Sequence, residues 1–145
     1  MEAVFVEKNP KAMACVKENL QKTHFERKGM TMQMDVMTAL YKLEGEKQFD
    51  YIYDPPYNHE LEKSVLTYLA ESSLLAEEGI IIVEASKETD FDYAEDLGYN
   101  ISKKKNIRQI SMYFWNLREG KKYVNRNLSR CPYVTGSKLS WDRFL

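Results

Sequence analysis

Short apolar segments alternate with helix-forming segments over the first 86 residues, and this alternation constrains the fold more than any other feature. The apolar segments are residues 3–6, 30–34, 49–53 and 80–83, and each has the length of a strand. The segments between them carry apolar residues three or four positions apart, which is typical of amphipathic helices. Strands that alternate with helices form βαβ units, so the sequence predicts an α/β fold with four parallel strands in residues 1–86.

Local signals place the helices between these strands. Asn9 is a good N-cap and Pro10 suits the first helical position, so the first helix is predicted to begin there. Its end is expected between residues 24 and 29. Apolar spacing predicts two further helices, over residues 36–43 and 59–75.

The composition is that of a globular protein. The 145 residues suffice for one domain, and 43% of them are hydrophobic and 30% charged. There is no apolar run of about 18 residues that could cross a membrane, and the two cysteines, Cys15 and Cys131, form no disulfide framework. His24 and His59 have no metal-ligand partners at helical spacing. The sequence therefore predicts a cytoplasmic protein with no membrane association and no metal site.

The net charge of −1 conceals a division along the chain. Residues 1–102 carry 10 basic and 20 acidic side chains, a balance of −10, whereas residues 103–145 carry 11 and 2, a balance of +9. Such asymmetry is typical of an acidic domain with a basic tail that binds nucleic acid. The sequence therefore predicts a domain over residues 1–102 and a separate basic tail over residues 103–145.

Acidic residues follow three of the four predicted strands: Glu7, Asp35 and Asp54. In an open parallel sheet, ligands bind beyond the carboxyl ends of the strands, so we expect these side chains around one crevice. Glu7 suits hydrogen bonds from the ribose hydroxyls of a nucleoside cofactor, and Asp35 suits an adenine amino group. Each acid by itself is as often a helix cap or a turn residue, so the prediction depends on the grouping.

The segment Asp54-Pro55-Pro56-Tyr57 is the most specific motif in the chain. Two consecutive prolines cannot continue a strand, and they impose a rigid extended loop. Such a loop aims two acceptors, the Asp54 carboxylate and the Pro55 carbonyl, at the crevice. They suit the two N–H donors of an exocyclic nucleobase amine, and Tyr57 supplies a flat face for an unstacked base. The alternative is a structural turn with a packed aromatic residue.

These residues resemble a known family, the RsmD-type bacterial 16S rRNA (guanine-N2)-methyltransferases. The matching segments are residues 3–20 (AVFVEKNPKAMACVKENL), 49–57 (FDYIYDPPY) and 79–86 (GIIIVEAS). The resemblance covers about residues 1–102. It implies a Rossmann-like methyltransferase fold and S-adenosylmethionine as cofactor. It also implies that the substrate is a guanine of 16S rRNA in the assembling small ribosomal subunit.

The resemblance assigns roles to eight positions. The implied catalytic positions are Asp54, Pro55, Pro56 and Tyr57. The implied cofactor-binding positions are Glu7, Lys8, Asp35 and Val36. Adenine-N6 and cytosine-N4 DNA methyltransferases share the Asp-Pro-Pro-Tyr motif and are the enzymatic alternative, and a non-catalytic fragment is the alternative from another class.

The chain departs from the family pattern before Ala3 and within the third strand. The Gly-rich cofactor loop belongs on a strand and helix preceding Ala3, so we expect the first strand of the fold and this loop to be missing. A missing central strand would leave backbone N–H and C=O groups of the two neighbouring strands without hydrogen-bond partners. We therefore expect weak S-adenosylmethionine binding, no methylation of 30S particles or rRNA by this chain, and self-association. The family also has one more residue between Asp50 and the motif, which affects the aim of Asp54.

The tail after about residue 105 does not resemble the family, and its codons indicate a frameshift. Residues 106–117, back-translated with A-rich codons and read from the third base, yield Tyr-Lys-Thr-Asn-Lys-His-Val-Phe-Leu-Glu-Phe, which resembles the family's C-terminal strand pair. Three of these identities, Val, Leu and Glu, are forced whatever the codon choice. A frameshift near residues 103–105 is therefore inferred, which would make the +9 charge a product of A-rich codons.

Overall fold

A computed structural model describes residues 2–54, 59–108, 110–118 and 129–135. Seven strands and four helices lie in this part of the chain. In chain order they are β1 Ala3–Val6, α1 Pro10–Lys22, β2 Gly29–Met32, α2 Val36–Leu43, β3 Lys47–Asp54, α3 His59–Glu71, β4 Leu75–Ser86, α4 Asp92–Asp96, β5 Tyr99–Ile107, β6 Ile110–Leu117 and β7 Ser129–Thr135.

The described strands form a single sheet in the order β2-β1-β7-β3-β4-β6-β5. Every neighbouring pair from β2 to β4 is parallel, and β6 pairs antiparallel with both β4 and β5. The prediction of an α/β fold with four parallel strands in residues 1–86 is therefore confirmed. Helices α1, α2 and α3 lie in the connections between parallel strands, as βαβ units require.

Several predicted boundaries are wrong by a few residues, each for a local reason. The second strand ends at Met32 because the Met34 N–H donates to the Met32 carbonyl, which turns the chain away from the ladder. The first helix ends at Lys22, before the predicted range, and His24 then takes a positive φ of 58°.

The third helix ends at Glu71, so its predicted end at residue 75 is also wrong. The chain enters β4 at Leu75, which is earlier than the predicted start at Gly79, and Leu75 pairs with Phe49. A register irregularity follows, and Tyr51 pairs with Ile80. A bulge accommodates the residues between Leu75 and Ile80. The apolar pattern of one segment cannot reveal such a bulge, because it depends on the pairing with another strand.

The main core lies between one face of the sheet and helices α2, α3 and α4. Its largest fully buried side chains include Phe49, Leu66, Ile81 and Trp115. Phe91, which precedes α4, packs edge-on against Trp115 with 4.8 Å between ring centroids. Burial of this apolar surface is the principal favourable term that holds the sheet and helices together.

The position between β1 and β3 is occupied, which contradicts the expectation of unpaired ladder groups there. Strand β7 pairs with β1 from Ala3 to Phe5 and with β3 from Lys47 to Tyr53. The sequence reasoning treated residues 129–135 only as part of a basic tail, and it missed this strand. A strand from the far end of the chain can fill the position because parallel pairing depends on backbone groups. Pro132 of β7 lacks an N–H and has no register partner in either pairing.

Strands β5 and β6 extend the sheet beyond β4. The predicted division between residues 102 and 103 falls within β5, whose pairing with β6 runs from Tyr99 to Ile107. Residues after the inferred frameshift contribute to the core, since Trp115 is fully buried and Tyr113 nearly so. The division into two parts and the frameshift both remain predictions.

Candidate functional site at the carboxyl edge of the sheet

The parallel strands bring the predicted site residues to one edge of the sheet. Strands β1, β2 and β3 run in the same direction, so Glu7, Asp35 and Asp54 follow or end them at the same edge. Glu7 and Asp35 follow adjacent strands. Strand β7 separates β1 from β3, so Glu7 and Asp54 belong to strands about 10 Å apart. The backbone therefore places these three positions on one edge of the sheet, and their grouping around one crevice remains a prediction.

Glu7 has a defined position at the start of the first crossover. Its side chain is only 5% exposed, and its Oε1 atom accepts a hydrogen bond from the Asn9 N–H at 2.6 Å. The Asn9 side chain in turn accepts from the Lys11 N–H at 2.9 Å and so caps α1. In the described part of the chain no donor reaches the second carboxylate oxygen of Glu7. Lys8 beside it is exposed.

Asp35 acts as the N-cap of α2. Its Oδ1 accepts from the Thr38 N–H at 2.9 Å, and its Oδ2 accepts from the Thr38 hydroxyl at 2.6 Å. These two bonds to the charged form, the hydroxyl first, lower the pKa of Asp35 below its ordinary value. Val36 is the first residue of the helix and is half-buried. The capping interpretation of Asp35 is confirmed, and its role toward an adenine remains a prediction.

The strand that carries the catalytic motif extends to the motif itself. Strand β3 ends at Asp54, one residue later than predicted, and Asp54 is in register with Val83 of β4. Its neighbour Tyr53 is in register with Thr135, the last residue of β7. The predicted positions Pro55, Pro56 and Tyr57 lie outside the described residues.

A hydrogen bond that the sequence reasoning missed joins the ends of β3 and β4. The Tyr53 hydroxyl donates to the Glu84 Oε2 atom at 2.9 Å, and both side chains are half-buried. The bond holds the end of β3, and with it the backbone of Asp54, against the neighbouring strand. Only the register of β3 on β4 brings these two residues together, so the sequence offered no signal beyond two polar residues at strand ends.

Two kinds of feature are absent from the part of the chain that the structure describes. There is no group of three or more His, Cys, Asp or Glu side chains arranged to hold a metal ion. None of the described helices combines the length and the apolar character that a membrane span requires.

The fold and its edge define a class of protein. Several solved structures with a similar fold carry titles that describe methyltransferases or methylases, which establishes a Rossmann-like methyltransferase fold. A conserved hypothetical protein of Streptococcus pyogenes is 26% identical, with a TM-score of 0.72, over 86% of this chain and 76% of that chain. An RNA methyltransferase from Salinibacter ruber, solved with S-adenosyl-L-homocysteine, is 15% identical, with a TM-score of 0.52, over 88% and 71%.

The family follows from the sequence match. The family model described as "Conserved hypothetical protein 95" matches residues 1–116, so the chain belongs to this family, the RsmD-type family that the motifs indicated. A Bacillus subtilis (strain 168) protein with the name "Putative rRNA methyltransferase YlbH" is 32% identical over 89 residues, which are 60% of this chain and 48% of that protein. The chain therefore spans about half the length of this relative.

Proposed function

We propose that this edge of the sheet is the active site of a cytoplasmic S-adenosylmethionine-dependent methyltransferase that modifies the exocyclic N2 of a guanine in 16S rRNA. The observation that carries the proposal is the position of Asp54 at the end of β3, on the same edge as the buried Glu7. Membership in the family and the rRNA methyltransferase name of the Bacillus subtilis relative support the reaction and the substrate class.

The chemistry that the motif must perform follows from the nature of the guanine amine. Its lone pair is delocalised into the ring, which makes the nitrogen a poor nucleophile. The Asp54 carboxylate and the Pro55 carbonyl accept the two N–H bonds and favour a pyramidal nitrogen with an exposed lone pair. They would also stabilise the positive charge on the nitrogen as the new N–C bond formed and the sulfonium S–C bond of the cofactor broke, and one of the two N–H protons would then pass to the Asp54 carboxylate or to water. Tyr57 stacks on the extruded base.

The residues at the ends of β1 and β2 suit a nucleoside cofactor. S-adenosylmethionine supplies an electrophilic methyl group on a sulfonium when it is bound. Glu7 has one carboxylate oxygen that no donor among the described residues reaches, and we assign this oxygen to a ribose hydroxyl, although its other oxygen already accepts from Asn9. Asp35, with Lys8 and Val36 beside these acids, is assigned to the adenine end of the cofactor. Positioning and electrostatic stabilisation supply the catalysis, and the proposed mechanism uses no metal.

The substrate separates this proposal from its alternatives. An adenine-N6 or cytosine-N4 DNA methyltransferase would use the same Asp54 acceptors on a DNA base. A non-catalytic fragment would keep these residues without turnover. We favour ribosomal RNA because the Bacillus subtilis relative bears the name "Putative rRNA methyltransferase YlbH". The assembling small subunit is proposed as the partner from the family resemblance alone.

Strand β7 fills the position whose vacancy underlies the expectation of no methylation, so the proposal is tested by transfer of a labelled methyl group to 30S particles, naked 16S rRNA and duplex DNA. Cofactor is supplied at millimolar concentration, so that weak cofactor binding does not limit the transfer. Asp54→Asn keeps the side-chain shape and removes the charge, and we expect a loss of about 100-fold or more in transfer. Asp50→Asn, the same change four residues earlier on β3, is the matched control and should retain activity.

Each outcome has a defined meaning. Methylated guanine-N2 in rRNA that depends on Asp54, with cofactor affinity nearly unchanged in Asp54→Asn, supports the proposal. Methylation of DNA in preference to rRNA supports the DNA methyltransferase. Absence of any transfer, with a folded chain, supports the non-catalytic fragment and contradicts the proposal for this chain.

A further inference from the structure

The outermost strand of the sheet carries a cluster of positive charge near the candidate site. Strand β5 is an edge strand, and it contains the consecutive residues Lys103, Lys104 and Lys105. Arg108 follows at the turn into β6, with a positive φ of 52°. All four side chains are exposed, and the sequence has no acidic residue between positions 103 and 118. The three lysines lie at the inferred frameshift and not beyond it, and only Arg108 follows it. We call these four residues the β5 basic strip.

The sheet places this strip on the same edge as the candidate site. Because β6 is antiparallel to both β4 and β5, strand β5 runs in the direction of β4 and β3. Asp54 is in register with Val83, Val83 with Tyr113, and Tyr113 with Lys104. Three interstrand spacings, about 14 Å in total, therefore separate the backbone of Asp54 from that of Lys104. The turn that holds Arg108 lies further toward the same edge.

The strip is not neutralised by acidic neighbours. In the described part of the chain, none of its four side chains forms an ion pair, whereas Arg118 at the end of β6 binds Glu95 at 2.6 Å. The Lys103 Nζ lies 5.8 Å from the centroid of the Phe114 ring, and the Lys104 Nζ lies 4.8 Å from that of Tyr113. Such contacts hold the lysine stems on the sheet and leave the ammonium groups able to bind anions.

We propose that the β5 basic strip binds phosphates of the single-stranded RNA on one side of the target base. This inference rests on the proposed function, because it takes the base to enter the edge beside Asp54. A base in that crevice leaves its backbone at the surface, and cations in register with Asp54 can neutralise the phosphates that follow. Phosphate contacts of this kind position a nucleic acid without reading its sequence.

The acidic remainder of the described surface limits where RNA can bind. Exposed Glu88, Asp90 and Asp92 follow β4 on the way to α4. RNA that leaves the crevice over this segment would meet like charges, whereas a path along the edge toward β5 meets cations. The strip therefore also determines the direction in which the RNA backbone leaves the site.

The test compares two triple variants with the same loss of charge. Lys103→Gln/Lys104→Gln/Lys105→Gln removes most of the strip. Arg27→Gln/Lys28→Gln/Lys42→Gln is the matched control, because Arg27 and Lys28 precede β2 and Lys42 lies in the last turn of α2, at the opposite edge. Affinity for a labelled single-stranded RNA oligonucleotide is measured by fluorescence anisotropy over a range of salt concentrations. Circular dichroism checks that both variants fold.

We expect the strip variant to bind RNA about tenfold or more weakly than the wild-type chain. The slope of log affinity against log salt should fall by about 2, because each single-strand phosphate contact contributes about 0.7. The control variant should lose less than half as much in both quantities. Cofactor affinity, measured by calorimetry, should be unchanged in the strip variant.

Other outcomes overturn the proposal. Lysines on an edge strand also discourage edge-to-edge pairing, so self-association of the strip variant with unchanged RNA affinity would assign the strip that role instead. Equal losses of RNA affinity in the two variants would indicate that binding depends on the total charge of the protein and not on the strip. Binding of anionic phospholipid vesicles in preference to RNA would indicate that the strip binds a membrane surface instead. Failure of the proposed function is a separate result. If the wild-type chain binds RNA through the strip but transfers no methyl group, only the proposed methyltransferase activity is contradicted.

Discussion

Removal of the Glu44 carboxylate is predicted to destabilise the fold through three hydrogen bonds that meet on it. Glu44 ends α2, and its Oε1 accepts from the Ser73 N–H at 2.9 Å and from the Ser73 hydroxyl at 2.5 Å. Its Oε2 accepts from the Tyr68 hydroxyl at 3.1 Å. The carboxylate therefore joins the end of α2 to α3 and to the segment that leads into β4. The perturbation is Glu44→Ala.

The magnitude follows from what each donor loses. Ser73 is only 4% exposed, so its N–H has little access to water once the acceptor is gone, and an orphaned buried donor costs about 1–3 kcal/mol. The two hydroxyl groups can rotate, and Tyr68 is half-buried, so together they add about 1 kcal/mol. We expect Glu44→Ala to lose about 2–4 kcal/mol of unfolding free energy. Glu44→Gln keeps an acceptor for the Ser73 N–H and should lose about 1 kcal/mol.

Urea unfolding followed by circular dichroism measures these differences as shifts in midpoint at constant slope. Glu71→Ala is the control, because Glu71 is an exposed acid at the end of α3 and should change stability by less than about 0.5 kcal/mol. A Glu44→Ala variant as stable as the control would refute the hydrogen-bond network as a determinant of stability.

The pKa of Tyr68 gives a second measurement of the same network. Burial first, and then the hydrogen bond to Glu44, raise the pKa of Tyr68 to about 12 from an ordinary value near 10. The neutral hydroxyl is favoured in the folded state, so its contribution to stability is complete below pH 10 and is lost as the pH rises toward 12. Glu44→Ala should lower this pKa and reduce the loss between pH 10 and 12, as followed by phenolate absorbance against a Tyr68→Phe reference.

Two further predictions concern the core and the cofactor. Trp115 is fully buried, and its indole N–H has no acceptor in the described part of the chain. Trp115→Phe removes this orphaned donor, whose burial costs about 1–3 kcal/mol, and this gain offsets the loss of buried ring surface. We therefore expect the free energy of unfolding to stay within about 1 kcal/mol of the wild type. A loss of 3 kcal/mol or more in urea unfolding, the usual cost of truncating a buried aromatic residue to alanine, would contradict this. Calorimetric titration with S-adenosylmethionine tests the expectation of weak binding from the sequence analysis; micromolar binding by a well-behaved monomer would show that the residues present suffice.

Local patterns predicted the elements because the interactions behind them are local. The Asn9 cap and Pro10 start α1 through bonds within a few residues, and Asp35 starts α2 in the same way. The short apolar segments become strands because a strand of a parallel sheet is covered on both faces and therefore consists mostly of apolar residues. Parallel direction then brings Glu7, Asp35 and Asp54 to one edge, which made that part of the site predictable.

Pairing partners depend on residues far apart in the chain, and periodicity contains no information about them. The sequence alone determined the βαβ order, the caps and the acids at the strand ends. The tertiary structure decided that residues 129–135 lie between β1 and β3, that Tyr53 bonds to Glu84, and that Lys104 is in register with Asp54 through two intervening strands. The physical reason is that a strand's backbone donors and acceptors can pair with any extended neighbour. Which neighbour is chosen depends on the packing of the whole sheet.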